Sequence, residues 1–321
     1  MQEIRGPGIR GEGRARAILI AGPTASGKSA LALAIAERTG GLVVNADAMQ
    51  VYRELRVLTA RPSPEEEARA AHRLYGHVAG AQAYSVARWL VDLAPVLAEA
   101  AATHRPAIVV GGTGLYFEAL TRGLAAVPEI PDAVREKIRQ QAACLGPVGL
   151  HARLAARDPA SAARLRDSDP QRLMRALEVF EATGRSLTEW QAEPPPPPLL
   201  PDPTVRVVIA PDRAWLHQRI AERFEAMVAA GGVQEAAAFA GLGLDPALPA
   251  MRAIGVAPLA AAARGEVAPE EAIRRSVVDT RRYAKRQETW FRNRMGDWAR
   301  IEPRNIAEAA AEISQHPQIA P

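Results

Sequence analysis

The sequence predicts an α/β fold, a parallel sheet core interrupted by a helical insertion domain. Three observations predict it. Short apolar runs, each closed by glycine or a polar residue, alternate with segments of helical spacing, the pattern that lays strands side by side with helices on both faces. The first run leads straight into Gly22-Pro23-Thr24-Ala25-Ser26-Gly27-Lys28-Ser29, which fits G-x-x-x-x-G-K-[ST] and makes the core P-loop NTPase-like. Residues 130–193 then keep a helical period with no convincing strand, before a strand-like run returns.

The elements follow in order. Ala17-Ile18-Leu19-Ile20-Ala21 reads as a strand buried on both faces. Residues 29–38 space Leu31, Leu33, Ala34 and Ile35 helically and stop at Gly40-Gly41. Leu42-Val43-Val44 is a second strand, delivering Asn45 and Asp47 at its end. Ser63-Pro64-Glu65-Glu66 starts a helix: serine caps, proline takes the first turn, and the glutamates favour the positive dipole end. Ser85 caps another helix, running to about Thr103, and Pro106-Ala107-Ile108-Val109-Val110 is a third strand closed by Gly111-Gly112-Thr113-Gly114. Residues 194–198 are five prolines, an extended spacer. Val205-Arg206-Val207-Val208-Ile209 is the returning strand, with a helix from about Asp212. The expected organisation is a flexible leader at 1–16, a core at 17–120 and 201–300 with basic C-terminal helices, a helical insertion at 121–200, and a C-terminal tail at 301–321.

Composition narrows the chemistry. The 321 residues are 48% hydrophobic, enough for a sizeable core, but only 5% aromatic, so alanine, leucine and valine must fill it. A formal charge of +4 suits an RNA partner without requiring one. The single cysteine, Cys144, excludes an intrachain disulfide and a cysteine-based zinc site. The six histidines are scattered, and His72 and His77, five apart, share no helical face. No run has signal-peptide or membrane-span character, so a cytoplasmic location with no membrane contact is expected.

The glycine loop binds phosphate. Its backbone N–H groups and the following helix N-terminus form an anion cradle. Lysine occurs at only three positions, Lys28, Lys137 and Lys285, and one of them falls where the loop needs a point charge. Ser29 offers a hydroxyl to Mg²⁺, a cation that prefers oxygen ligands. Many such loops serve kinases, which commonly carry an aspartate at the end of a later strand. Here that strand ends in Gly-Gly-Thr-Gly, and the strand-end acid is Asp47.

Six segments occur in order: the loop 22–29, Asp47-Ala48-Met49-Gln50-Val51-Tyr52, Thr59-Ala60-Arg61-Pro62, Gly111-Gly112-Thr113-Gly114-Leu115-Tyr116, Asp169-Pro170-Gln171-Arg172, and Arg282-Tyr283-Ala284-Lys285-Arg286-Gln287. Together they resemble the bacterial tRNA dimethylallyltransferases, also called tRNA isopentenyltransferases, over residues 17 to about 300. The chain departs from the family pattern at Ala48, where serine is usual, at Leu58 (glycine) and at Val256 (tyrosine).

The resemblance implies a reaction. An adenine N6 amine attacks the allylic carbon of dimethylallyl diphosphate, and pyrophosphate leaves. Gly22, Pro23, Thr24, Ala25, Ser26, Gly27, Lys28 and Ser29 would hold the diphosphate, with Mg²⁺ on Ser29. Asp47 would be the general base, with Thr24 and Arg252 as further catalytic residues. The acceptor would be adenosine 37 in the anticodon stem-loop of tRNAs that read codons beginning with U, an unpaired base that is cheap to extrude. The insertion would be the tRNA-binding element. Expected tRNA contacts are Asp47, Ala48, Met49, Gln50, Thr113, Arg135, Gln171, Arg172, Leu173, Met174, Arg175, Arg282, Lys285 and Arg286.

Residue patterns bear on the RNA surface too. Arg172 and Arg175 share one helical face, opposite the stripe Leu173, Leu177 and Phe180. Residues 281–300 hold seven basic residues against two acids, interleaved with Tyr283, Trp290, Phe291 and Trp298, which suits phosphates and splayed bases. A monomer is expected. Three other readings stay open at this level: a small-molecule kinase, a prenyltransferase of free adenine nucleotides, and a non-catalytic RNA-binding protein.

Overall fold

The computed structural model describes residues 17–199, 204–317 and 319. The expected leader, 1–16, lies outside the described residues. Strand β1 (Ala17–Ala21) is wholly buried. Helix α1 (Lys28–Thr39) is entered from Gly27 at φ 91° and left through Gly40 at φ 64°, two left-handed positions that favour glycine. Strand β2 (Leu42–Asn45) follows. Helix α2 (Pro64–Arg69) opens with the full capping box of Ser63 and Glu66. Strand β3 (His72–Arg73) has only two residues. In helix α3 (Val86–Ala102) Ser85 accepts the Arg88 N–H as cap. Strand β4 (Ala107–Gly111) and helix α4 (Gly114–Arg122) complete this stretch.

Four helices come next: α5 (Asp132–Arg157), α6 (Pro159–Ala162), α7 (Pro170–Thr183) and α8 (Leu187–Ala192). Helix α5 breaks at Gly146, at φ 64°, just before Pro147. The chain then forms β5 (Thr204–Ile209), α9 (Arg213–Met227), a π-turn, α10 (Val233–Ala240), the 3₁₀ turn Pro249–Arg252, α11 (Val256–Ala263) and the long α12 (Pro269–Arg294). It closes with β6 (Ala299–Ile301) and α13 (Ile306–Ser314).

The sheet runs β3-β2-β4-β1-β5-β6, with every pair parallel. Ala17 is level with Ala107 on one side and Thr204 on the other. The carboxyl ends of β1, β2, β4 and β5 therefore come out along one edge, where open α/β sheets bind ligands. Alternation along β1 feeds two cores. Ala17, Leu19 and Ala21 join Trp89, Phe117, Phe224 and Phe291 on one face; Ile18 and Ile20 join Leu31 and Ile35 of α1 on the other.

The tail expected at 301–321 is corrected by this second core. Strand β6 extends the sheet beside β5, and Ala309, Ala310 and Ile313 of α13 are buried with α1. Three strand residues and a nine-residue helix are too short for local periodicity to declare them, since such pieces are stable only where they pack.

The chain divides into two compact units, Met1–Thr121 with Pro198–Pro321, and Arg122–Pro197. The second unit is helical, with Ile138, Leu150, Leu154, Leu173, Ala176 and Leu177 in its core. Its entry and exit run side by side: a Cβ on Gly123, at φ 86°, would lie 2.2 Å from the Pro195 carbonyl oxygen.

Candidate active site

The loop after β1 is built to meet an anion. Ser26 is wholly buried, and among the described residues its Oγ finds no hydrogen-bond partner. Lys28 Nζ donates to the Pro23 carbonyl at 3.2 Å, holding the ammonium over the loop. Burial, and then the Arg223 guanidinium, push the Lys28 ammonium down to about 8, with Asp47 pulling the other way. Arg223, on α9, donates to Thr24 Oγ1 at 3.4 Å. Burial lowers its pKa as well, opposed by Asp47 and reinforced by Arg219. Two cations short of water beside one glycine loop favour a polyanionic ligand.

Asp47 stands on the next turn along the sheet edge. Its backbone N–H donates to Asn45 Oδ1 at 2.8 Å, and Asn45 Nδ2 donates back to the Asp47 carbonyl at 3.0 Å and to Leu74 O at 3.1 Å. Asp47 Oδ1 accepts the Met49 N–H at 2.9 Å. Its Oδ2 points toward Gly112, 3.4 Å from where a Cβ would lie there. Thr113 Oγ1 accepts the Ala48 N–H at 3.0 Å, a bond to backbone that the alanine at 48 leaves intact. Tyr75, Tyr116 and Tyr283 all have phenols raised above their ordinary value, first by burial and next by the Asp47 charge. The carboxylate thus shares one neighbourhood with three rings, Lys28 and Arg223. Beneath them Trp89 donates its indole N–H to Asn45 O at 2.8 Å and stacks on Tyr116 at 4.5 Å.

One side chain ties these turns together. Gln287 of α12 accepts the Thr24 N–H on Oε1 at 2.9 Å and donates Nε2 to Gly112 O at 2.8 Å.

A metal fits on limited terms. Among the described residues no group of three His, Cys, Asp or Glu side chains is arranged to hold one. Mg²⁺ needs no such cage, because it keeps waters and takes substrate phosphate oxygens with one or two protein oxygens. Ser29, exposed in the first turn of α1 directly after Lys28, supplies such an oxygen.

The other expected residues fall in several places. Arg252 ends the 3₁₀ turn Pro249–Arg252, while the cation bonded to the loop threonine is Arg223. Gln50 Nε2 is committed to the Thr59 and Ala60 carbonyls at 2.9 and 2.8 Å. In the helical unit Arg172 and Arg175 are exposed and Arg135 half-buried, each beside an acid three residues away: Asp169 at 3.1 Å, Glu178 at 3.7 Å and Asp132 at 3.8 Å. Such exposed pairs are weak and leave the guanidinium free to exchange partners. Gln171 is exposed and Met174 half-buried. Leu173 is a correction as a tRNA contact: it is 0% exposed in that unit's core, where the helical period already pointed it. On α12, Arg282, Lys285 and Arg286 are exposed, with Arg282 3.2 Å from Asp279 and Arg286 over the Tyr283 ring. Two of the interleaved aromatics are corrected too. Phe291 and Trp298 are buried, Trp298 edge-on to Phe117 at 5.5 Å, so neither offers a face to a base. Leu58 and Val256 are both buried in the larger core, and Leu58 Cδ2 lies 3.5 Å from where a Cβ on Gly255 would be.

Arg223 and Gln287 are the site residues that sequence reasoning missed. Arg223 is one arginine among many, and its spacing carries no signal. Gln287 closes a recognised segment, but nothing local marks its side chain as inward.

Known proteins resemble this chain over nearly its whole length. A family model described as IPP transferase matches residues 50–294, and one described as Isopentenyl transferase matches residues 15–79. A protein of Nitrobacter hamburgensis named tRNA dimethylallyltransferase is 54% identical over 308 residues, 96% of this chain and 96% of its own. One of the same name from Azorhizobium caulinodans is 55% identical over 287 residues, covering 89% of this chain and 92% of its own. A crystal structure of a eukaryotic dimethylallyltransferase acting on tRNA superposes with a TM-score of 0.75 at 25% identity, covering 95% of this chain and 81% of that one. The full-length tRNA isopentenylpyrophosphate transferase of Bacillus halodurans gives 0.66 at 30% identity, covering 93% and 95%.

Proposed function

Since this chain belongs to the IPP transferase family, we propose that it transfers a dimethylallyl group from dimethylallyl diphosphate to N6 of adenosine 37 in tRNAs that read codons beginning with U, releasing pyrophosphate. The observation that carries the reading is the shared neighbourhood of Asp47, Lys28 and Arg223 at the mouth of the glycine loop. A kinase would need its acid to organise a nucleotide. Here the carboxylate stands among tyrosines, on a turn that an entering base could reach.

The N6 lone pair forms a bond to the allylic carbon as the carbon–oxygen bond to diphosphate breaks. The N6 proton passes to Asp47 Oδ2, the oxygen not committed to the Met49 N–H. Met49 and Asn45 fix the Asp47 turn, so the carboxylate is oriented before the base arrives. The loop amides, Lys28 and Arg223 bind the diphosphate and stabilise the charge that builds on it. Arg223 joins the loop in the diphosphate role, and Arg252 would be a further catalytic residue. Ser29 would hold Mg²⁺, which when bound neutralises part of the diphosphate charge. Thr113 and the 48–50 turn would border the acceptor base. Arg135, Gln171, Arg172, Met174 and Arg175 in the helical unit, and Arg282, Lys285 and Arg286 on α12, would grip RNA. The chain acts as a monomer in this reading.

One assay separates the alternatives. The protein is incubated with Mg²⁺, labelled dimethylallyl diphosphate and, in turn, unmodified tRNA, AMP, or ATP with candidate acceptors. Prenylated tRNA with stoichiometric pyrophosphate is the expected outcome. Prenylated AMP, or a phosphorylated product, would replace this reading with a free-nucleotide prenyltransferase or a kinase.

A further inference from the structure

We infer that Gln287 is the positioning residue that sets the donor loop in register with the base-bearing turn, an inference that rests on the prenyl-transfer reading. Gln287 is 5% exposed on α12, far along the chain from both of its partners. Its Oε1 takes the Thr24 N–H of the phosphate loop and its Nε2 gives a bond to the Gly112 carbonyl. The partners fix which end of the amide is which, because an N–H needs an acceptor and a carbonyl needs a donor. A neutral amide is the side chain that offers one of each at this reach, and asparagine is one methylene shorter.

The surroundings confine it further. A Cβ on residue 112 would lie 2.1 Å from Gln287 Nε2, so glycine there leaves the amide its place, with Asp47 Oδ2 at ordinary contact distance, 3.4 Å, from the same point. Gly112 is followed by Thr113, whose Oγ1 holds the Ala48 N–H beside Asp47. A continuous path therefore runs from the donor loop, through one amide, to the residues that carry the base. Tyr283 lies one helical turn before Gln287, on the same face of α12, with its hydroxyl against Thr113 and Gln287. Lys285 lies on the opposite face of the helix, with Arg282 and Arg286 exposed on its flanks. The two turns leave neighbouring strands, and nothing else among the described hydrogen bonds joins the Thr24 amide to the Gly112 carbonyl.

The test compares the wild-type protein, Gln287→Met and Gln287→Glu in steady-state prenylation of tRNA, with thermal unfolding of each. Methionine keeps the length and loses both bonds. It should lower kcat about ten- to a hundredfold, because small misplacements of reacting groups cost that much, while the KM for tRNA changes less than about threefold. Glutamate imitates the amide only when protonated, and burial beside Asp47 favours that form. The ratio of Gln287→Glu to wild-type kcat should therefore rise as pH falls from 8 to 6, a dependence that mere loosening of the helix would not produce. Wild-type kcat in Gln287→Met, or a pH-independent ratio for Gln287→Glu, overturns the inference. If Gln287→Met does not fold, the Gln287→Glu profile decides alone. Absence of prenylated tRNA with the wild-type protein would instead sink the functional reading itself.

Discussion

At the residue scale, Asp47 and Lys28 divide the work between the proton and the leaving group. Asp47→Asn keeps the shape and the Met49 bond but cannot take a proton. It should reduce kcat about 10²- to 10⁴-fold, the usual worth of a positioned base, with tRNA affinity within about twofold of wild type in a filter-binding titration. Normal turnover by that variant would remove the base from the mechanism. Lys28 titrates where it matters, because burial first and Arg223 second bring it to about 8. Its pKa is lowered, so the positive charge is present below that value and is lost as pH rises through it. Pyrophosphate affinity, measured by calorimetry between pH 7 and 9, should fall more steeply in wild type than in Lys28→Arg, which stays charged throughout. Parallel curves would show that Lys28 carries no titrating share of the grip. Ala48 is informative in a different way: the bond at that position is made by backbone, so a serine hydroxyl is dispensable to the turn.

At the scale of elements, the exposed arginines of α7 are held loosely on their own helix. Arg172 lies 3.1 Å from Asp169 three residues earlier, and the pair is open to water. Such a bridge is worth about 0–1 kcal/mol, so its loss hardly touches folding. A phosphate contact would show differently. Arg172→Ala should weaken tRNA binding and reduce the slope of log K against log salt by about 1, with an unfolding midpoint near that of wild type. An unchanged slope would remove Arg172 from the RNA surface. Helix α12 shows the same division more sharply. Ala284, Gln287 and Phe291 are buried while Arg282, Lys285 and Arg286 are exposed, so one helix carries a structural clip and a basic face at once.

At the scale of the whole molecule, helix α13 belongs to the core of the unit that holds the site. Ile313 is buried with Ala309 and Ala310 against α1, and Ile306 Cδ1 lies 2.7 Å from where a Cβ on Gly27 would be. The C-terminal helix therefore buttresses the phosphate loop from behind. Ile313→Ala should cost about 2–5 kcal/mol of stability, as core truncations of this kind do, measured by urea unfolding. A loss below about 0.5 kcal/mol would restore the view of a dispensable tail.

Much of the fold was legible in the order of residues because it is local. Ser63 and Ser85 cap within three positions, the strands are continuous apolar runs, and Gly22 to Ser29 is a turn whose chemistry its own residues state. Asp47 could be singled out because it follows a strand immediately, and Leu173 could be assigned to a core by its helical period alone. What no window of neighbours contains is the order β3-β2-β4-β1-β5-β6. That order decides that Arg223 meets Thr24, that Gln287 reaches both Thr24 and Gly112, that three tyrosines gather at Asp47, and that β6 and α13 complete the core rather than trail from it. Local patterning is governed by backbone sterics and side-chain period over a few residues. Pairing between distant segments is governed by which buried faces fit, and that is a property of the assembled structure.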